Sequence, residues 1–253
     1  MRLILQLILK LLAKATLNKY HPKIIGVTGS VGKTSTKLAI AALVAKKWRV
    51  GYASKNLNNE LGLPLTILGE HDSGYRNPFA WLSIMYRAFW QLISRNPNFP
   101  EYLVLEYGID HSGDMDYLLS IAQPDIAVIT AISPAHLEYM GSLAVLAREK
   151  GKLVTSLSSA CLAVLNADDN LVSAFKSQTK AKVITFGLTA GAQVRADSVG
   201  LSYDSDNKPQ GTTFKLISGG SSVPILLKEI VGKPSVLVSL GAAAVGTSLG
   251  ISP

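Results

Sequence analysis

The run Gly26-Val27-Thr28-Gly29-Ser30-Val31-Gly32-Lys33-Thr34-Ser35-Thr36-Lys37 holds the densest chemistry in the chain. Three glycines let a backbone turn tightly and aim successive N–H groups at one point, as phosphate oxygens require. Lys33 and Thr34 follow at once, a cation for terminal phosphates and a hydroxyl for Mg²⁺. The spacing differs from the common phosphate loop, which would put its first glycine at Val27; here it reads G-x-x-G-x-x-G-K-T. The implied ligand is a nucleoside triphosphate with magnesium, cradled by Gly29, Ser30, Val31, Gly32, Lys33, Thr34 and Ser35.

Such a loop needs a strand before it and a helix after it, and both are legible. KIIGVT (23–28) is a short β-rich run, and TSTKLAIAALVAKKW (34–48) has helical length and strong helix formers. The helix N-terminus then adds its dipole to the phosphate site. RVGYAS (49–54) and KVITFG (182–187) read as further strands, and YLVLEYG (102–108), DIAVIT (125–130) and CLAVLN (161–166) are apolar runs typical of strands buried on both faces. Helical patterns over 79–94, 114–122, 142–158 and 169–178 separate them. Alternation of this kind predicts an α/β fold with a mainly parallel sheet flanked by helices. From about 190 to 230 short β-prone runs and the turn-rich SDNKPQG predict a small antiparallel appendage, followed by a helix over 235–249. Glu106 ends an apolar strand, at the carboxyl edge where α/β sheets bind ligands.

Of the 253 residues nearly half are hydrophobic and 17% are charged, a composition that builds a core and argues against disorder. The one cysteine, Cys161, excludes an internal disulfide; it reads as a buried strand residue, and the cytoplasm is the default compartment. The net charge of +8 is concentrated at the start, where residues 1–23 carry five cations and no acid. That asymmetry gives no basis for nucleic-acid binding.

Residues 2–19 place Gln6, Lys10 and Lys14 along one helical face of an otherwise apolar helix. Their longest unbroken apolar run is three residues, far short of the ~20 needed to span a bilayer. No small-residue cleavage site precedes the first strand, which argues against a secretory signal. Two readings stay open: a helix that packs on the domain or a partner, and an in-plane helix at the inner face of a membrane. The segment 79–94, with Trp81, Tyr86 and Trp90, could join the second; core packing is its expected role.

The loop spacing, together with KNLNNELGLPLTIL (55–68), LEYGIDHSGDM (105–115), PDIAVITAISPAHLEYMGS (124–142), REKGKLV (148–154) and LNADD (165–169), resembles the Mur ligase family. The ordered set is far more specific than the loop alone and covers about residues 23–250. Members have a UDP-sugar-binding domain, a central ATPase and a C-terminal domain for the incoming amine. The resemblance implies that residues 23–253 are the central domain, with the basic helix 1–22 in place of the first domain and no counterpart of the third. It further implies ATP-dependent ligation, in which a carboxylate becomes an acyl phosphate and an amino acid or dipeptide, here D-alanyl-D-alanine, displaces phosphate. The acyl partner would be a UDP-MurNAc-peptide of peptidoglycan precursor synthesis.

Carried over residue by residue, the resemblance makes Glu106 a Mg²⁺ ligand beside Thr34, and His136 and Lys150 holders of a second Mg²⁺. Lys150 would act as a carbamate, a cation converted to a carboxylate-like ligand; Lys152 stands where the family often has an acid. Asn56, Asn58, Asn59 and Glu60 would lie by the ATP and the substrate carboxylate, although asparagines at this density also suit a turn. Asn166, Asp168 and Asp169 would lie near the nucleotide, and Asp169 could equally cap the next helix. One departure stands out. Pro234 and Ser239 occupy about the places of a histidine and an asparagine near the adenine. Two other readings therefore remain, a nucleotide-binding module without autonomous catalysis and a folylpolyglutamate- or cyanophycin-type ligase.

Overall fold

The computed structural model describes residues 2–70, 78–134 and 137–252. Along the chain run α1 (Arg2–Tyr20), β1 (Lys23–Thr28), α2 (Lys33–Val44), β2 (Val50–Tyr52), α3 (Gly62–Ile67), α4 (Pro78–Ile93), β3 (Tyr102–Glu106), α5 (Asp114–Leu119) and β4 (Ile126–Ile129). Then follow α6 (Leu137–Met140), α7 (Leu143–Thr155), β5 (Leu162–Asn166), α8 (Asn170–Ser173), β6 (Lys182–Gly187), β7 (Val194–Tyr203), β8 (Pro209–Ser218), β9 (Ser221–Lys228) and α9 (Lys233–Ser248).

The strands form one sheet in the order β2-β3-β1-β4-β5-β6-β7-β8-β9. Neighbours from β2 to β7 pair in parallel, and β7-β8 and β8-β9 pair antiparallel. Strand side chains alternate between faces, and the two cores follow that period. Ile24, Leu103, Leu105, Ala127, Ile129 and Leu165 pack on the side of α5 and α7. Ile25, Val27, Val104, Val128 and Val164 pack on the side of α2 and α9. Between its neighbours β3 and β4, β1 sits where the connections diverge to left and right, the crevice in which open α/β sheets place ligands.

The antiparallel strands expected near the C-terminus are β7–β9, joined to the parallel sheet where β7 pairs with β6 through Phe186–Val194. Three expectations change. The helix expected over 169–178 is the single turn α8 followed by a 3₁₀ turn, Ala174–Ser177. Cys161 is half-buried and precedes β5, its Sγ 3.3 Å from Ser158 Oγ. Helix α4 is not a core helix. Ile84 and Ala88 are buried, while Leu82, Tyr86, Phe89, Trp90 and Ile93 are exposed. Among the described residues no helix is long and apolar enough to cross a membrane. Helix α1 packs on the domain through Leu9, Ala13 and Thr16.

Candidate active site

Strand β1 delivers the glycine loop to the sheet's carboxyl edge. Gly29 has a φ of +151°, and a Cβ there would lie 2.0 Å from Thr130 Oγ1. Only glycine fits this close approach of loop to strand. The loop is clamped to the segment after β4: Ser30 N donates to the Ala131 carbonyl (2.7 Å), Thr130 Oγ1 to the Val31 carbonyl (2.6 Å) and Ser30 Oγ to the Ser133 carbonyl (3.0 Å). Gly32, with φ +83°, starts α2 without a side-chain cap. The amides of Lys33, Thr34 and Ser35 thus stand at an open helix N-terminus with no intrahelical acceptors. Their partial positive charge suits a phosphate. Lys33 curls over the loop, its Nζ 3.5 Å from the Ser30 carbonyl.

Around Thr34, in the first turn of α2, is a set of hard oxygen donors. Thr34 Oγ1 lies 3.0 Å from Glu106 Oε2 and 3.2 Å from Asn56 Oδ1. Asn58 Nδ2 donates to Glu106 Oε1 at 2.9 Å. A hydroxyl, a carboxylate and an amide oxygen are the ligand types Mg²⁺ takes when phosphates and water complete its shell. The set therefore fits that ion. Among the described residues there is no cluster of three or more His, Cys, Asp or Glu that would cage a metal unaided. Glu106 is itself buried and paired: Lys37 Nζ is 3.1 Å from Oε2, with side-chain exposures of 1% and 2%. Lys37 also donates to the Lys55 carbonyl at 3.1 Å.

Lys150, on α7, is buried beneath the loop and donates to the Gly29 carbonyl at 2.9 Å. Burial pushes its amine down to about 8; the Lys33 charge adds to the fall and Asp110 opposes it. It is therefore not a solvated helix lysine. The positive charge of Lys152 is matched locally, since its Nζ sits 2.6 Å from both Glu149 Oε2 and Asp116 Oδ2. His136 lies outside the described residues.

The remaining sequence candidates divide. Asn56 and Asn58 join the Thr34–Glu106 set, whereas Asn59 Oδ1 accepts from the Leu61 and Gly62 amides, the turn role that asparagine favours. Glu60 faces away from the loop, held by Arg2 and by Gln6 Nε2 (3.2 Å). These residues line a cavity of about 430 Å³ with Asp110 and His111. Asn166 is buried, donating to the Thr130 carbonyl (2.7 Å) and accepting from the Asp168 amide (2.9 Å). Asp168 accepts from the Leu188 and Thr189 amides. Asp169 caps α8 through Leu171 and Val172 N and also accepts from Ile132 N (2.7 Å). Val31, Ser35, Pro234 and Ser239 line a cavity of about 780 Å³ beside the loop, with Phe186, Val231 and Val238 among its apolar walls. The Ser239 hydroxyl is committed to the Ser235 carbonyl at 3.0 Å.

Two site residues escaped the sequence reading. Thr130 gave no signal, because a threonine at a strand end is ordinary. Lys37 did give one: it lies four residues after Lys33 on α2, so it shares that lysine's face at the sheet's edge.

A parallel sheet whose β1–loop–α2 unit offers bare helix amides, a lysine and a hydroxyl–carboxylate pair defines a phosphate-binding α/β domain of the P-loop kind. Sequence comparison narrows this class: the profile of the Mur ligase middle domain matches residues 27–77 and 89–246. The chain belongs to the Mur ligase family. It is 32% identical over 246 residues to the UDP-N-acetylmuramoyl-tripeptide–D-alanyl-D-alanine ligase of Bacillus subtilis (strain 168), covering 97% of this chain and 45% of that one. To the enzyme of that name from Escherichia coli (strain K12) it is 30% identical over 229 residues, covering 90% and 44%. Its structure is similar to MurF from Acinetobacter baumannii, with a TM-score of 0.78 at 25% identity over 98% of this chain and 47% of that one. It is also similar to the MurF ligase from Thermotoga maritima in complex with ADP, with a TM-score of 0.77 at 25% identity over 96% and 49%. The chain thus spans less than half the length of these relatives.

Proposed function

We propose that this chain is the nucleotide-binding, acyl-activating part of an ATP-dependent amide-bond ligase. The ligase joins D-alanyl-D-alanine to a UDP-MurNAc-tripeptide in peptidoglycan precursor synthesis. The observation that carries this reading is the open α2 N-terminus set directly over the Thr34–Glu106–Asn56 oxygens. The relatives' names supply the substrates.

In this reading the loop amides and Lys33 bind the β- and γ-phosphates of ATP. Thr34, Glu106 and Asn56 hold Mg²⁺, which neutralises phosphate charge when bound. The acyl carboxylate attacks the γ-phosphorus, and ADP leaves. The dipeptide amine, having given up a proton, then attacks the acyl carbon, and phosphate leaves. Protein groups supply position and charge rather than covalent chemistry. Asn59, Glu60 and the cavity they line receive the acyl partner. Asn166 and Asp169 shape the nucleotide end.

Lys150 and His136 are proposed for a second Mg²⁺, with Lys150 as a carbamate. Carbon dioxide adds only to a neutral amine, and an amine brought down to about 8 is neutral in roughly a tenth of molecules at pH 7. The domain is proposed to work in the cytoplasm, with α1 touching the membrane's inner face.

A second reading, a nucleotide-binding module without catalysis of its own, is favoured by one observation: the cavity beside the loop offers Pro234 and a backbone-committed Ser239 where a base would need polar readers. The folylpolyglutamate-type alternative has only fold likeness behind it, a TM-score of 0.62 at 15% identity to the S73A mutant of L. casei FPGS.

Hydroxylamine trapping tests the ligase reading. The chain is incubated with Mg-ATP, UDP-MurNAc-tripeptide and hydroxylamine, and the acyl phosphate is captured as a hydroxamate. Formation that requires Lys33 supports the ligase. Binding of ATP with no hydroxamate supports the module.

A further inference from the structure

Helices α1 and α4 lie side by side and bury their inner faces in one cluster: Leu9, Ile84 and Ala88, with Leu5, Leu12, Trp81 and Met85 against it. Their C-terminal ends are tied together. Lys19 Nζ donates to the Gln91 and Leu92 carbonyls at 3.0 and 2.9 Å, and the Tyr20 hydroxyl to Gln91 at 3.0 Å. The outer faces are apolar and exposed. On α1 they are Leu3, Ile4, Leu7, Ile8 and Leu11; on α4 they are Leu82, Tyr86, Phe89, Trp90 and Ile93. Both sets follow the three- and four-residue spacing of a single helical stripe. The two helices share a buried seam, and both stripes lie on faces turned away from it. Side chains so arranged form a patch larger than scattered surface leucines would give.

We infer that α1 and α4 together form a platform that seats this domain on an anionic lipid surface. This rests on the proposed contact of α1 with the membrane and deepens it by assigning half of the surface to α4. Charge selects lipid as the occupant. Residues 1–23 carry five cations and residues 78–95 carry Arg87 and Arg95, with no acid in either, so seven of the eight net charges of the chain belong to these two segments. Arg2 and Arg87 meet Glu60 and Glu70 of the domain, while Lys14 and Arg95 stand exposed at the margins of the stripes. An apolar face with tryptophan and tyrosine, with Lys14 and Arg95 exposed at its margins and no acid within α1 or α4 themselves, complements acyl chains beneath anionic headgroups. The Tyr86 and Trp90 rings stack 6.5 Å apart, an amphipathic pair of the kind that favours membrane interfaces. The break in the family match, residues 78–88, falls in α4, so the platform is built in part from sequence that the shared domain pattern does not include.

The test is sedimentation of the full chain with phosphatidylcholine vesicles containing roughly one part in three phosphatidylglycerol. The comparisons are pure phosphatidylcholine, an α4 variant (F89D with W90D) and an α1 variant (L7D with L11D). These positions are exposed, so circular dichroism should stay unchanged in both variants. The platform predicts salt-sensitive binding to the anionic vesicles and at least about tenfold weaker partition for each variant. Loss in the α1 variant with full binding in the α4 variant overturns the platform and leaves the α1 contact standing. Full binding in both, or none by the parent chain, overturns both. Self-association of the parent that both variants abolish, without vesicle binding, makes the face an interface between copies and likewise overturns the platform.

Discussion

Replacing Lys37 by methionine keeps the length of the side chain and removes its charge. In the folded protein Glu106 then keeps two neutral donors, Thr34 Oγ1 at 3.0 Å and Asn58 Nδ2 at 2.9 Å, and loses the ammonium at 3.1 Å. A carboxylate 2% exposed is left without a counter-charge. Breaking a buried pair from one side costs about 3–5 kcal/mol; the surviving hydrogen bonds place Lys37→Met near the lower end, about 3 kcal/mol. Removing the negative charge as well, in Lys37→Met with Glu106→Gln, should cost only about 1 kcal/mol, so the second change should restore about 2 kcal/mol to Lys37→Met and the double-mutant cycle should be far from additive. Urea unfolding followed by tryptophan fluorescence measures all corners. Magnesium adds a second readout: if Glu106 faces the metal position, Mg²⁺ should stabilise Lys37→Met more than the parent chain, because the cation takes the place of the ammonium. A Lys37→Met cost below about 0.5 kcal/mol, or strict additivity in the cycle, would refute the buried pair as the anchor of the site.

Gly29→Ala should lower stability by about 1–3 kcal/mol and abolish detectable nucleotide binding, because its Cβ would meet Thr130 Oγ1 at 2.0 Å. Gly113→Ala, with φ +95° but nothing within 4 Å, should cost about 1 kcal/mol and leave binding intact; denaturation and calorimetry on both separate strain from clash. Lys150, at about 8 folded against 10.5 unfolded, sheds its proton in the folded state first, so stability should rise as pH increases from 8 to 10. The rise is about 2 kcal/mol relative to Lys150→Met, and a flat difference between the two proteins would remove the burial argument.

The sheet was largely legible in the sequence because its strands are buried on both faces. LVL in β3, IAVI in β4 and LAVL in β5 are apolar without interruption, and such runs have few alternatives to a parallel sheet. The loop was legible because phosphate binding dictates glycine and lysine positions locally. What stayed hidden depends on partners distant in the chain. Lys37 is the plainest case: its spacing from Lys33 points to the sheet's edge, but only Glu106, 69 positions away, makes it a core residue. Asn59 and Asn58 are adjacent and chemically identical, yet one closes a turn and the other binds Glu106. Nothing in β7 states which edge it joins, so its continuity with β6 emerged only from the pairing. In α4, aromatic and aliphatic residues at helical spacing read as core, because composition does not record which face is covered.

The central claim is that this Mur ligase middle domain binds Mg-ATP through its glycine loop. Titration calorimetry with ATP tests it most directly, on the 253-residue chain and its Lys33→Ala variant, with and without Mg²⁺. The account predicts binding by the parent chain that strengthens with Mg²⁺, and at least about a tenfold loss in a variant that unfolds like the parent. Equal affinity in parent and variant, or no binding by a folded parent chain, would contradict it.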